Sequence, residues 1–179
     1  LGTAGSETSL AALLDLAEGE QAPWPPSLIG ETLAALSPSA EGPRKLLRER
    51  ALKALGKTPH PLAGVRLGYM EAAGLLLAGS LGEGAPPPDA EPLFQAAVLR
   101  LADPDATVRA AAGNILVQVR GGALSALAIA SLSHEDPWIR LWSESALRQT
   151  TGACVGHDPL DPGADRAQAQ EAWRKVRAP

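Results

Sequence analysis

Two stretches of this chain carry nearly the same pattern, thirty-one residues apart: LADPDATVRAAAGNIL at 101–116 and LSHEDPWIRLWSESAL at 132–147. The aligned pairs are Asp105 with Asp136, Val108 with Ile139, Arg109 with Arg140 and Leu116 with Leu147. Each copy consists of a short apolar helix, a tight turn and a second helix. One helical pair cannot bury its apolar face alone, whereas stacked pairs can, and this period is typical of helical repeat arrays.

The apolar residues of the chain are those of closely packed helices. The chain has 179 residues and is 45% hydrophobic, but it contains one Phe, one Tyr and one Met. Ala, Leu and Val supply most of the rest; Ala and Leu favour helices, while residues that favour strands are sparse. Composition and repeat together predict an all-α fold of about eight or nine helices.

Glycine and proline divide the chain into segments. We interpret 1–82 as N-terminal helices, 83–92 as a Pro- and Gly-rich loop, 93–152 as two clear repeats and 153–179 as a capping segment with a helix, all in one continuous domain. Ser27 is an expected N-cap. The expected helices cover 9–18, 28–36, 43–55, 62–78, 93–102, 105–119, 123–132, 136–150 and 164–176.

Acidic residues stand at the turn inside each copy. Asp103 and Asp136 each precede a proline, which is the usual order of an N-cap residue and a first helical residue. Acidic groups also suit the positive end of the helix dipole. We therefore expect both residues to cap the helix that follows.

The pattern Leu-x-Asp-Pro-Asp-x-x-Val-Arg-x-x-Ala-x-x-x-Leu at 101–116, echoed at 132–147, resembles the HEAT repeat, especially the short bacterial type also found in phycobilisome lyases. The clear resemblance covers residues 93–150. It implies a right-handed α-solenoid whose second helices line a concave surface. It also implies structural roles for the repeat residues, with Arg140 reaching Asp105 and Arg109 reaching an earlier acidic group or solvent. The structural repeat residues are Asp105, Arg109, Asp136 and Arg140.

The first half carries two weaker signals of the same repeat. Leu47, Ala51 and Leu55 are spaced like the second helix of a degenerate unit, and Val65-Arg66 indicates another. Whether these helices are true repeats stays open at this point.

The C-terminal segment resembles an ending that is common in bacterial HEAT-repeat proteins. Its elements here are Thr151-Gly152, Gly156, Asp158-Pro159 and Trp173-Arg174, with His157 at a position that is often aromatic in the family. The resemblance implies that Gly152, Asp158 and Trp173 belong to a cap. An array needs one, because its last unit would otherwise expose an apolar face.

A stripe on the second helices is the candidate partner-binding surface. Trp138 and Trp142 are four residues apart and share a helix face, and Trp is enriched at interface hot spots. Alternatively, Trp142, and Trp138 with it, packs beneath the terminal helix against Trp173. The candidate residues are Trp138, Trp142, Ser145, Gln149, Asn114 and Gln118.

The sequence shows no motif for catalysis, a cofactor or a metal. It contains no G-x-S-x-G, Gly-rich phosphate loop or H-E-x-x-H. Cys154, His157, Asp158 and Asp161 are close in sequence, but zinc sites usually pair such ligands at two separated positions. Asp158 and Asp161 each directly precede a proline, and this order is more typical of a turn than of a metal site. We expect no catalytic residue, no cofactor and no metal.

Charge and hydropathy limit the partners. The net charge is −4, and the largest basic cluster is short (Arg44, Lys45, Arg48 and Arg50), which disfavours nucleic acid. The longest apolar segment, at 72–78, is far below the ~20 residues of a membrane span. No initiator Met or signal peptide is visible, so a cytoplasmic and an exported location both stay open. The Ala-, Pro-, Gly- and Arg-rich composition suggests a bacterial source.

These observations lead to a non-enzymatic protein–protein interaction or scaffold module, alone or as a structural subunit of a larger assembly. The partner is expected to be a protein or peptide. The alternative is an accessory or lyase-type HEAT-like enzyme that acts on a chromophore or a protein substrate. A third hypothesis, a HEAT-like DNA glycosylase, would need a basic groove that the acidic balance disfavours.

Overall fold

The computed structural model describes residues 7–19, 41–78, 90–118, 122–163 and 165–176 of the chain. These residues form α-helices and no strand, which confirms the all-α prediction for this part of the chain. The expected helix at 28–36 with its cap Ser27, and positions 83–89 of the expected loop, lie outside the described residues. The helices are α1 (Glu7–Glu18), α2 (Glu41–Leu55), α3 (Ala63–Ala78), α4 (Ala90–Leu99), α5 (Ala106–Gln118), α6 (Gly122–Ser131), α7 (Pro137–Thr151) and α8 (Arg166–Lys175), with a 3-10 turn at Arg100–Ala102.

Helices that follow one another in the chain pack in pairs. The first pair is α2 with α3, the second is α4 with α5, and the third is α6 with α7. First helices also contact first helices, α2 with α4 and α4 with α6, and second helices contact second helices, α3 with α5 and α5 with α7. Helix α1 packs on α2, and α8 packs on α6.

The first pair corrects one sequence interpretation. Leu47, Ala51 and Leu55 are buried on one face of a helix, as their spacing predicts. That helix is α2, however, and it is the first helix of its pair, while Val65-Arg66 opens the second helix, α3. The two weak signals therefore belong to one helix pair. A four-residue apolar spacing is common to both kinds of helix and cannot distinguish them.

Helix ends follow the turn chemistry of the sequence with one exception. Asp136 caps α7, since its Oδ1 accepts the N–H of Trp138 at 2.8 Å, and the helix ends at Gly152 with φ 69°. In the second pair the cap is Asp105, whose Oδ1 accepts the N–H groups of Thr107 and Val108 at 2.8 and 3.2 Å. The expected cap Asp103 does not serve there, because its buried side chain binds arginines.

The core has two parts. The larger one joins side chains of α1 to α5 with Ile139 and Ala146 of α7. The smaller one lies between α6, α7 and α8 and contains Ala128, Leu132, Leu147 and Trp173. Among the described residues, no helix has both the length and the apolar character needed to cross a membrane.

Candidate functional site

An arginine near the start of the second helix has the same geometry in all three pairs. Arg66, Arg109 and Arg140 each donate from Nη1 to two backbone carbonyls of the preceding turn, five and six residues earlier. These nitrogen–oxygen distances lie between 2.6 and 3.0 Å. Each arginine therefore holds the turn of its own pair, because it satisfies carbonyl oxygens that the turn leaves unpaired.

The same turns share a second device. The side chain six residues before the arginine accepts a hydrogen bond from the backbone N–H two residues further on. The bonds join His60 Nδ1 to Leu62 N at 3.3 Å, Asp103 Oδ1 to Asp105 N at 3.0 Å, and His134 Nδ1 to Asp136 N at 3.0 Å. The first pair thus repeats the turn of the other two in detail. Its sequence there (HPLAGVR) has the Pro, Ala, Val and Arg of DPDATVR, but it has leucine where the other two turns have the capping aspartate.

A buried ion pair joins the first pair to the second. The Nε and Nη2 atoms of Arg66 donate to the two carboxylate oxygens of Asp103 at 2.9 and 2.8 Å, and Arg100 Nη1 donates to the same carboxylate at 3.3 Å. The Asp103 side chain is fully buried. Burial lowers the pKa of Arg100, although the nearby carboxylate acts in the opposite direction.

Arg140 makes the corresponding contact at the C-terminal end. Its Nε donates to the backbone carbonyl of Pro159 at 2.8 Å and so ties the third pair to the segment between α7 and α8. The pairing expected between Arg140 and Asp105 is not found. The donors of Arg140 bind backbone carbonyls, and the carboxylate of Asp105 accepts the bonds that cap α5.

Arg109, between these two, differs. Its Nη1 holds the carbonyls of Asp103 and Pro104, as its counterparts do. Its Nε and Nη2 have no hydrogen-bond partner among the described residues, and neither atom is buried, so both reach solvent. Two alternatives were expected for Arg109, an earlier acidic group or solvent. Among the described residues no acidic group contacts it, and its outer nitrogens reach solvent.

The candidate partner-binding residues divide by exposure. The side chain of Trp138 is 55% exposed in the first turn of α7, and Asn114 and Gln149 are exposed on α5 and α7. Ser145 is half-buried and lies 3.5 Å from the Gln149 amide nitrogen. The side chain of Gln118 lies outside the described part of the chain. Helices α5 and α7 are in contact, so these residues belong to adjacent helices.

Trp142 has a different position from the one expected. Its ring packs on Gly113 of α5 and joins the larger core, whereas Trp173 belongs to the smaller core between α6, α7 and α8. The anticipated packing of Trp142 against Trp173 is therefore wrong. The sequence did contain a signal for the observed contact. Gly113 lies within a helix, and a glycine there leaves space for a large side chain of a neighbouring helix.

The segment after α7 covers a buried carboxylate that sequence analysis did not identify. Glu144 is 1% exposed, and its two oxygens contact His157 Nδ1 at 2.6 Å and Arg148 Nη2 at 2.8 Å. The hydrogen bond to Glu144 raises the pKa of Arg148. The aligned residues of the other pairs are Met70 and Gly113, both buried, so a charge at this core position was the available signal.

The predicted cap residues lie in the same region. Gly152 ends α7 in the left-handed conformation, and Trp173 of α8 is 1% exposed. Asp158 accepts the N–H of Leu160 at 2.9 Å, which makes it a turn residue.

The residue types of a catalytic triad occur in this region, but they are not arranged as one. Ser143, Glu144 and His157 include the residue types of a nucleophile, an orienting carboxylate and a base. Ser143 Oγ and His157 Nε2 are both buried and do not hydrogen-bond to each other. Among the described residues, no group of three or more His, Cys, Asp or Glu side chains is placed to hold a metal ion.

No protein-family model, curated protein or solved structure matches this chain.

Proposed function

We propose that this chain is a non-enzymatic protein-binding module whose helix pairs stack as a right-handed solenoid of the HEAT type. The alternating contacts of first helices with first helices and second with second are those of a stacked array. The identical arginine geometry of the three turns further supports a repeated unit. Such arrays provide extended surfaces and carry no chemistry of their own.

The exposure of Trp138 is the observation that carries this proposal. Trp138 is the largest exposed side chain of the described residues, while Trp142 and Trp173 pack into the cores. It lies at the start of α7, while Gln149 is exposed near the end of the same helix and Asn114 is exposed on the neighbouring α5. A half-exposed indole is typical of an anchor residue in a protein interface. The partner is a protein or peptide.

The buried polar groups have structural tasks, which fits a binding module. Asp103 binds Arg66 of the preceding helix pair. Arg140 and Glu144 contact Pro159 and His157, which both belong to the C-terminal segment. These buried charged groups therefore stabilise the packing of the helices and of the C-terminal segment.

The proposal is tested by immobilising the purified chain, exposing it to lysate of its source organism and identifying the retained proteins. The test variant is Trp138→Ala, and the matched control is Leu16→Ala, which removes a 62% exposed apolar side chain from the far end of the molecule. A protein retained by the native chain and the control, but lost with Trp138→Ala, is the expected result. Equal retention by all three chains, or a co-purifying pigment in place of a protein, would overturn the proposal.

A further inference from the structure

The three repeated arginines differ only in what their outer nitrogens bind. The outer nitrogens of Arg66 bind a carboxylate of the next pair, and Nε of Arg140 binds a carbonyl of the C-terminal segment. Those of Arg109 face solvent, although its Nη1 is held like the other two. Arg109 therefore has a guanidinium edge whose orientation is fixed while its binding capacity is unused.

The alignment explains why this edge is open. Asp103, which occupies the edge of Arg66, corresponds to His134 in the next pair. In the stacked array of the proposed function, the same register would set His134 against Arg109. His134 Nδ1 accepts the N–H of Asp136, so the hydrogen of the neutral ring is on Nε2, which is a donor. Two donors cannot satisfy each other. A shared acceptor between them can satisfy both.

We propose that the outer edge of Arg109, together with Nε2 of His134, binds a side-chain carboxylate supplied by an acidic segment of the partner protein. The first pair shows this chemistry inside the chain, since a carboxylate lies across both outer nitrogens of Arg66 at 2.8–2.9 Å. A carboxylate is negatively charged and has two oxygens, one for each nitrogen of the positively charged edge, whereas a carbonyl satisfies one donor. This inference rests on the proposed function and specifies the partner's chemistry.

The occupant is a polypeptide. The two occupied counterparts both take groups from turns or extended segments of protein chain, a carboxylate before Pro104 and the carbonyl of Pro159. Trp138 also lies four residues after His134 in the sequence and is exposed, so in the same register its indole would be available to the residues that flank the carboxylate. A free carboxylate ion would gain nothing from that indole.

The test uses a peptide that this chain already binds internally. A blocked, fluorescently labelled peptide of residues 101–106 (LADPDA) is titrated into the full chain, alongside the same peptide with both aspartates changed to asparagine. The Arg109 Nε–H resonance, identified by its loss in Arg109→Lys, locates the binding. We expect the acidic peptide to bind about tenfold more tightly than the amide peptide and to shift this resonance.

Two variants make the test specific. Arg109→Lys keeps a cation that can reach the turn carbonyls but removes the planar edge. His134→Asp places a carboxylate where Asp103 stands in the other turn, so it fills the edge from within. Both changes should weaken binding of the acidic peptide about tenfold. The controls Arg174→Lys and Ala167→Asp make the same changes of type and charge on exposed positions of α8 and should leave binding within about twofold.

The outcomes separate this inference from the proposed function. Equal affinity for the two peptides, or full binding by His134→Asp, would overturn the carboxylate site. If a partner from lysate is lost with Trp138→Ala but retained by Arg109→Lys and His134→Asp, the binding module stands and the carboxylate site fails. If binding of the acidic peptide requires Arg109 while Trp138→Ala retains every lysate protein, the carboxylate site stands and the proposed role of Trp138 fails.

Discussion

The ring of Trp142 lies directly on the backbone of Gly113, so that a Cβ at position 113 would be 2.9 Å from the ring atoms Cε3 and Cζ3. No real Cβ approaches an aromatic ring so closely. The contact joins α5 to α7 and explains how a tryptophan fits between the two helices in the larger core. Close approach of backbone to a large side chain is the situation in which glycine is needed within a helix.

Gly113→Ala should therefore destabilise the protein. Overpacking costs about 1–3 kcal/mol, and the better helix propensity of alanine offsets only about 1 kcal/mol of this. Urea unfolding measures the net loss. Gly74→Ala is the matched control, because its Cβ would lie at an ordinary 3.5 Å from Ile115 Cγ1. That control should be neutral or gain up to about 1 kcal/mol, and a loss equal to that of Gly113→Ala would contradict the explanation.

Asp103→Asn should be among the most damaging conservative changes. It leaves Arg66 and Arg100, both buried, without their counter-charge. Removing one partner of a buried pair costs about 3–5 kcal/mol. Glu171→Gln, which breaks exposed pairs with Arg174 and Lys175, should cost less than about 1 kcal/mol. Thermal unfolding of the two variants decides the point: similar small losses would mean that the buried pair does not hold the two helix pairs together.

Asp105 should titrate at lower pH than an ordinary aspartate. The Thr107 hydroxyl, then the N–H groups of Val108 and Thr107, donate to its carboxylate and lower its pKa. Because the folded-state pKa is depressed, the stabilisation is complete above the unfolded value of about 3.9 and is lost as the pH falls through the folded value. Carboxyl NMR titration measures the midpoint. Thr107→Val should raise it, and an unchanged midpoint would argue against the hydroxyl as the main cause.

Tyr69 should resist ionisation at alkaline pH. Burial and its hydrogen bond to Glu18 raise its pKa above the ordinary value of about 10. Because the folded-state pKa is raised, the protonated phenol stabilises the fold below the unfolded value, and this contribution is lost as the pH rises beyond it. Tyr69 is the one tyrosine in the chain, so ultraviolet absorbance of tyrosinate reports it alone. Ionisation near pH 10 while circular dichroism remains native would be the contrary result.

Sequence reasoning succeeded where a signal is local. The helical period and the Asp-Pro turn before α7 predicted the all-α fold and the cap at Asp136, because helix propensity and capping act within a few residues. The first pair was recognised only in part, since its turn has Leu62 where the other two turns have the capping residues Asp105 and Asp136.

Contacts between helices were harder to predict. The resemblance implied a pairing of Arg140 with Asp105, but the carboxylate that a repeat arginine binds is Asp103, which contacts Arg66 of the preceding pair. One of the two alternatives for Trp142 placed it against Trp173, whereas its ring packs on Gly113. Which helix face meets which depends on the packing angle between pairs, and the pattern of a single sequence does not contain that information.

The carboxylate of Glu144 has a consequence for how this protein could be lengthened. At the aligned core positions the earlier pairs carry Met70 and Gly113, which an ordinary helix pair covers without difficulty. A further pair inserted after Thr151 would have to cover Glu144 without His157, whose ring now contacts the carboxylate from the C-terminal segment. In engineering or in evolution, the C-terminal end of this array is therefore closed to the addition of a further helix pair.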